Sequence, residues 1–293
     1  MMTRRELLVG GAAAVATAAI ARQAWGATAP AASAATAVSP VDAIIGESPG
    51  IVALRDSIRS LAARATSPQR PPLILVLGET GAGKDLAAQV LHCARPRCTR
   101  PYVAFALHAV PSELMETYVF GYARGAFTYP PERPSMWELA HGGTLVLDQI
   151  GLMPCVAWLK IARVLETGTM RRLGSAEKQP IDAWTIATTW PLSLDHHVGE
   201  RTLREWLAPL DPVVLSIPPL RDRGDDIQLL ADSFLTHHCR QMGKPLKVLT
   251  PDARQILARH TWPGNVRELS NIIERAVAFS DHREIGPEEV SEG

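Results

Sequence analysis

Apolar residues in this chain alternate between short uninterrupted runs and stretches with helical spacing, beginning near Val41. After a turn over Ile45-Gly46-Glu47-Ser48-Pro49, residues Ile51 to Ala63 place apolar side chains at helical intervals. Arg70-Pro71-Pro72 ends that segment. Leu73 to Leu77 is wholly apolar and of strand length, as a strand buried on both faces requires. A glycine-rich turn and a helix from Lys84 to about Cys93 follow. The pattern then predicts a strand over Tyr102–Leu107, a helix over Ser112–Phe120, a strand over Thr144–Asp148, a helix over Pro154–Thr167 and a strand over Trp184–Thr188. Strand and helix in strict alternation predict an α/β fold, a parallel sheet covered by helices.

Beyond Pro218-Pro219 the pattern is helical only. One helix is predicted over Asp225–Met242. Thr250-Pro251-Asp252, a cap followed by proline at the first helical position, opens a second. A third runs over Asn265–Phe279, with Val266, Leu269, Ile273 and Val277 on one face, and a short acidic tail closes the chain. The predicted organisation is an N-terminal segment and linker over 1–40, an α/β unit over 41–218 and a small all-α lid over 219–293.

Composition alters this picture little. The 293 residues are 46% hydrophobic, ample for a packed core, and their 30 basic and 30 acidic side chains balance. That balance gives no case for general binding to nucleic acid or anionic membranes. Cys93, Cys98, Cys155 and Cys239 form no metal-ligand spacing and are expected to be buried free thiols. The N-terminus is more informative. Arg4-Arg5, a weakly apolar Ala/Gly run from Val9 to Ala21 and small residues around Ala24–Ala27 resemble a twin-arginine export signal. The apolar run is too short for a membrane span. Residues 22–40, almost wholly Ala, Thr, Ser and Pro, have linker composition.

The chemistry centres on Gly78-Glu79-Thr80-Gly81-Ala82-Gly83-Lys84-Asp85, between a predicted strand and a predicted helix. Glycines let such a loop turn its N–H groups toward a phosphate, and the helix N-terminus adds its positive end. Lys84 supplies a point charge for the β- and γ-phosphates. Gly142 to Gln149 gives a second element, an apolar strand ending in Asp148, the usual source of a carboxylate for Mg2+. The next residue, where an acid would polarise the attacking water, is Gln149. An amide can orient water but cannot take up its proton.

Three further stretches carry a family resemblance. Gly121-Tyr-Ala-Arg-Gly-Ala-Phe-Thr128 resembles the surface-loop signature of the AAA+ domains of bacterial enhancer-binding proteins, the activators of sigma-54 RNA polymerase. Trp262-Pro-Gly-Asn-Val-Arg-Glu-Leu269 and Pro218-Pro-Leu-Arg-Asp-Arg223 are similar to two others, and the likeness runs from about Ile45 to Val290. The resemblance implies an AAA+ P-loop fold with a helical lid, assembly into a ring, ATP and Mg2+ as cofactors, and the sigma-54 holoenzyme as partner. It implies that Gly78 to Asp85 form Walker A, with Asp85 and Asp148 near the metal and Arg267 as a lid sensor of phosphate. Gly125, Ala126, Phe127 and Thr128 would form the sigma-contact loop. Arg204 matches one of two arginines that reach the neighbouring subunit's nucleotide. The acid Asp85 after the lysine is usual in that family.

The chain departs from the family in a consistent direction. Tyr129-Pro130-Pro131 replaces the expected Gly-Ala at the loop tip, where proline restricts the backbone. Gln149 replaces the Walker B glutamate, Ala106 the asparagine that restrains it, and Trp190 a sensor asparagine. Leu207-Ala-Pro-Leu210 lacks the second arginine. No helix-turn-helix follows Val290, so no DNA-reading element is expected in this chain. Three functions remain: an ATP-binding, hydrolysis-poor regulatory subunit, a fully active sigma-54 activator, or an exported binding protein. The losses favour the first, in the cytoplasm, with a periplasmic location through residues 1–27 as the alternative.

Overall fold

The computed structural model describes residues 39–64, 72–95, 98–124, 132–195, 197–198 and 201–291. Five strands form one parallel sheet: β1 (Ile74–Leu77), β2 (Tyr102–Ala106), β3 (Thr144–Asp148), β4 (Trp184–Thr189) and β5 (Val213–Ser216), in the order β2-β3-β4-β1-β5. β1 lies between β4 and β5, with Leu77 in register with both Thr189 and Ser216. Because side chains alternate across a strand, the inner strands feed two cores. Leu145 and Leu147 face one side, with Phe105, Val119, Trp158 and Ile161. Val146 faces the other, with Ile74, Val76, Ile186 and the helical residues Ile51, Ile58 and Leu91. Burial on both faces is why β1 and the centre of β3 read as continuous apolar runs.

The helices that cover the sheet are α1 (Pro49–Arg64), α2 (Lys84–Cys93), α3 (Ser112–Phe120) and α4 (Cys155–Thr167). β5 has no counterpart in the sequence reading. It is an edge strand in which only Leu215 of Val213–Ser216 is buried, so it shows neither a buried run nor a clean alternation. Leu107 leaves the predicted strand as well, opening a short 3-10 turn.

Four helices make the lid: α5 (Asp226–Gln241), α6 (Pro251–Arg259), α7 (Asn265–Phe279) and α8 (Pro287–Ser291). At the start of α6 the Thr250 hydroxyl accepts the Ala253 N–H at 3.2 Å, with Pro251 in the first turn. Leu269, Ile273 and Val277 of α7 pack with Leu230, Leu257 and Trp262 in a separate core. The expectation of helices alone beyond Pro218-Pro219 fails at one place, the acidic tail. Glu284–Ile285 pairs in parallel with Val248–Leu249, and α8 buries Val290. Two isolated apolar residues, Ile285 and Val290, supply that anchorage beneath an acidic composition.

The expectation of buried thiols fails for two cysteines. Cys239 is buried, but Cys93 and Cys98 are exposed. α2 turns Val90, Leu91 and His92 inward, which leaves Cys93 on the outer side. Among the described residues no helix is long and apolar enough to cross a membrane. The export-like segment lies outside them.

Candidate functional site

All five strands run in parallel, so their C-terminal ends and the loops that follow share one edge, where ligands bind in open α/β sheets. Gly78 leaves β1 with its N–H donating to the Thr189 carbonyl at 3.3 Å, which fixes the root of the loop against β4. Two glycines then adopt positive φ. Gly81 (φ +75°) lies so close to the lid that a Cβ there would stand 2.2 Å from the Gly264 carbonyl oxygen. Gly83 (φ +109°) precedes α2, and a Cβ built on it meets nothing within 4 Å. The first crowds a neighbouring backbone; the second leaves open space at a helix N-terminus.

Lys84 is 6% exposed. Its Nζ donates to the carbonyls of Gly78 at 2.9 Å and Glu79 at 3.0 Å. Burial lowers its pKa, opposed by the charges of Asp148 and Asp85, while Arg267 adds to the lowering. Asp148, Asp85 and Arg267 therefore each lie within electrostatic reach of Lys84. Asp85 is exposed at the start of α2.

Asp148 ends β3, and its Oδ1 accepts the Thr188 hydroxyl. The same hydroxyl oxygen accepts the Gln149 N–H at 3.1 Å. Gln149 itself takes the left-handed region (φ 64°, ψ 52°), turning the chain out of the strand. Ala106 stands beside Asp148 in the β2–β3 register. Trp190 follows β4 and is 43% exposed. Arg204 is exposed and pairs with Asp195 at 3.0 Å. Gly125, Ala126, Phe127 and Thr128 lie outside the described residues. The flanking chain is described: Tyr122 and Arg133 pair in an antiparallel bridge, and Tyr122 and Leu173 in a parallel one.

The lid contributes contacts that spacing in the sequence does not reveal. Arg221 grips Glu79 with two hydrogen bonds, 2.9 and 2.6 Å. The Asn265 amide donates to Glu79 Oε2 and to the Thr80 carbonyl, each at 3.1 Å. The Arg221 bond, then that from Asn265, holds the Glu79 carboxyl below its usual pKa. Arg223, 4% exposed, donates to the Ala82 carbonyl at 2.8 Å, and burial lowers its guanidinium to about 10. Asp226, 2% exposed, accepts the Ser48 N–H at 3.1 Å and the Ser48 hydroxyl at 2.6 Å, tying α5 to the Gly46–Ser48 turn. Arg221, Arg223 and Asn265 all fall within recognisable signatures. Glu79 and Arg221 are 142 residues apart in sequence, however, and spacing alone could not join them.

A glycine loop on a strand–helix junction, a buried lysine, a strand-end aspartate and a lid closing on the loop define a P-loop protein with an AAA+ architecture. Residues 44–209 match the sigma-54 interaction domain, and residues 221–293 match the AAA+ ATPase lid domain. The chain belongs to the sigma-54 interaction domain family. It is 39% identical over 240 residues to the transcriptional activator RocR of Bacillus subtilis, covering 81% of this chain and 50% of RocR. Among solved structures it resembles NtrX of Brucella abortus in complex with ADP, with TM-score 0.72 and 28% identity over 84% of this chain and 54% of that one. NtrX in complex with ATP gives TM-score 0.71 at the same identity, covering 84% of this chain and 53% of that one. The chain thus spans about half the length of the relatives it matches.

Proposed function

We propose that this chain is an ATP-binding regulator of sigma-54-dependent transcription whose site holds nucleotide better than it hydrolyses it. The observation that carries this reading is an intact phosphate loop, with buried Lys84, beside an Asp148 that is followed by Gln149 and flanked by Ala106. Gly78 to Gly83 fit a phosphate, since the turn at Gly83 opens to space and α2 begins there. Lys84 would turn from the loop carbonyls to the phosphates, and Arg267 would add charge from the lid. Asp85 and Asp148 offer the carboxylate oxygens that Mg2+ prefers. Bound magnesium would offset phosphate charge. Nucleotide complexes of NtrX support the same reading.

A carboxylate that accepts the water's proton speeds hydrolysis, whereas the Gln149 amide can only orient the water. Arg204 is on the surface, where a neighbouring copy in a ring could meet it once its pair with Asp195 opens. Phe127 and Thr128 would meet sigma-54 through a loop tip altered by Tyr129-Pro130. We place the protein in the cytoplasm, where ATP and polymerase are available. A fusion of residues 1–40 to an export-dependent reporter should then give no signal.

The deciding experiment measures binding of a fluorescent ATP analogue and turnover on the same preparation. Saturable binding with turnover at least 10-fold below that of a Gln149→Glu variant is expected, within the range a general base contributes. Equal turnover in the two proteins would overturn the hydrolysis-poor reading, and no binding would overturn the whole.

A further inference from the structure

Every carbonyl of the phosphate loop from Gly78 to Ala82 is held by a named donor. Lys84 takes Gly78 and Glu79. The other three are taken by the lid: Thr80 by the Asn265 amide, Gly81 by the Arg267 N–H at 3.3 Å, and Ala82 by Arg223. A loop that turns its N–H groups toward phosphate must turn carbonyls the other way, and here the lid receives them.

Asn265 stands at the centre of this arrangement. It is fully buried and, although not glycine, has φ +53°. Its Oδ1 accepts the Leu220 N–H at 2.8 Å, where the chain enters the lid. Its Nδ2 is shared between Thr80 and Glu79. It is also the first residue of α7, so the amide that fixes the loop fixes the helix carrying Arg267. The preceding Gly264 carbonyl fills the space a side chain at position 81 would need.

We propose that Asn265 is a positioning residue that sets the phosphate loop from the lid, so that lid docking and loop geometry are one event. The ligand side of this claim rests on the ATP-binding reading above. Asn265 touches no phosphate in this role; it acts through Thr80 and Glu79. A lid that merely covered the nucleotide would leave the empty loop indifferent to position 265.

The test uses Asn265→Ala, which removes the donor to Thr80 without adding charge, together with Asn265→Asp, which keeps the acceptor for Leu220 but also sets a second carboxylate beside Glu79. Hydrogen exchange is followed by mass spectrometry in nucleotide-free protein, and ATP affinity by competition with a fluorescent analogue. The expected result is exchange at least 10-fold faster in peptides covering Glu79–Lys84, unchanged protection over Leu269–Val277, and ATP affinity reduced at least 10-fold. Unchanged exchange over Glu79–Lys84 in both variants would overturn the proposal. So would loss of protection over Leu269–Val277 in the Asp variant, because the amide would then serve lid folding only. If wild type binds no ATP, the proposed function fails, while the exchange comparison still decides the positioning claim.

Discussion

Ala106 is the direct neighbour of Asp148 across the β2–β3 ladder, at the edge where the strand-end carboxylate meets the phosphate loop. A methyl group there can neither donate to nor restrain a side chain at position 149. Replacing Gln149 with glutamate alone should raise ATP turnover at least 10-fold. Adding Ala106→Asn should alter it again, since two residues at adjoining strand ends are close enough to couple. Steady-state phosphate release for wild type, both single variants and the double variant checks this.

Lys84→Ala removes the one buried cation inside the loop. Hydrogen bonds to charged groups contribute about 1.5–3 kcal/mol, so nucleotide affinity should fall roughly 10- to 100-fold. Equilibrium titration with a fluorescent ATP analogue reads this directly. Affinity equal to wild type would refute the role of the lysine.

Acid should weaken the lid. His237 and His238 on α5 are buried and stack edge to face, and His237 Nε2 has no hydrogen-bond partner among the described residues. Burial lowers both pKa values; Glu274 opposes this for each, as do Gln241 and Ser270 for His238. An unfolded histidine titrates near 6.5 (about 6.5 in peptides). The folded lid therefore binds fewer protons in this region, and its stability is full above that pH and declines below it. Melting temperatures measured from pH 8 to pH 5 should fall on the acid side, and less steeply in His238→Leu.

Trp262 anchors the lid core. Its ring is fully buried and its Nε1 donates to the Leu257 carbonyl at 3.0 Å. Truncation to alanine should cost about 3–5 kcal/mol, as large aromatic deletions do. Denaturant unfolding of the full chain measures it. Because Trp262 closes the turn that presents Asn265, whose N–H donates to the Trp262 carbonyl at 2.9 Å, nucleotide affinity should fall as well.

Substituting Gly-Ala for Tyr129-Pro130 tests the proposed sigma-contact loop. Binding to sigma-54, measured in the presence of a nucleotide analogue, should strengthen if the altered tip is what limits contact.

The central strands were legible because burial on both faces forces uninterrupted apolar runs, as in Leu145-Val146-Leu147. The α6 cap was legible because Thr250-Pro251 is a local rule satisfied by local contacts. β5 was not, because an edge strand that buries only Leu215 leaves no periodic trace. The ordered ending at Ile285 and Val290 was hidden by acidic neighbours. Gly78 to Asp85 and Asp148 announced their positions through spacing. The lid contacts could not do so: Arg221, Arg223 and Asn265 reach the loop through the third dimension, and nothing near them in sequence says which carbonyl they will meet.

Three of the positions at which the sequence differs from the family pattern described above sit where a change costs the fold little. Ala106, Gln149 and Trp190 are at or just beyond strand ends, outside the two cores that β1 to β4 feed, and Trp190 is half open to solvent. Side chains there carry little of the burial that holds the sheet together. The scaffold can therefore keep its packing while the side chains along this edge change.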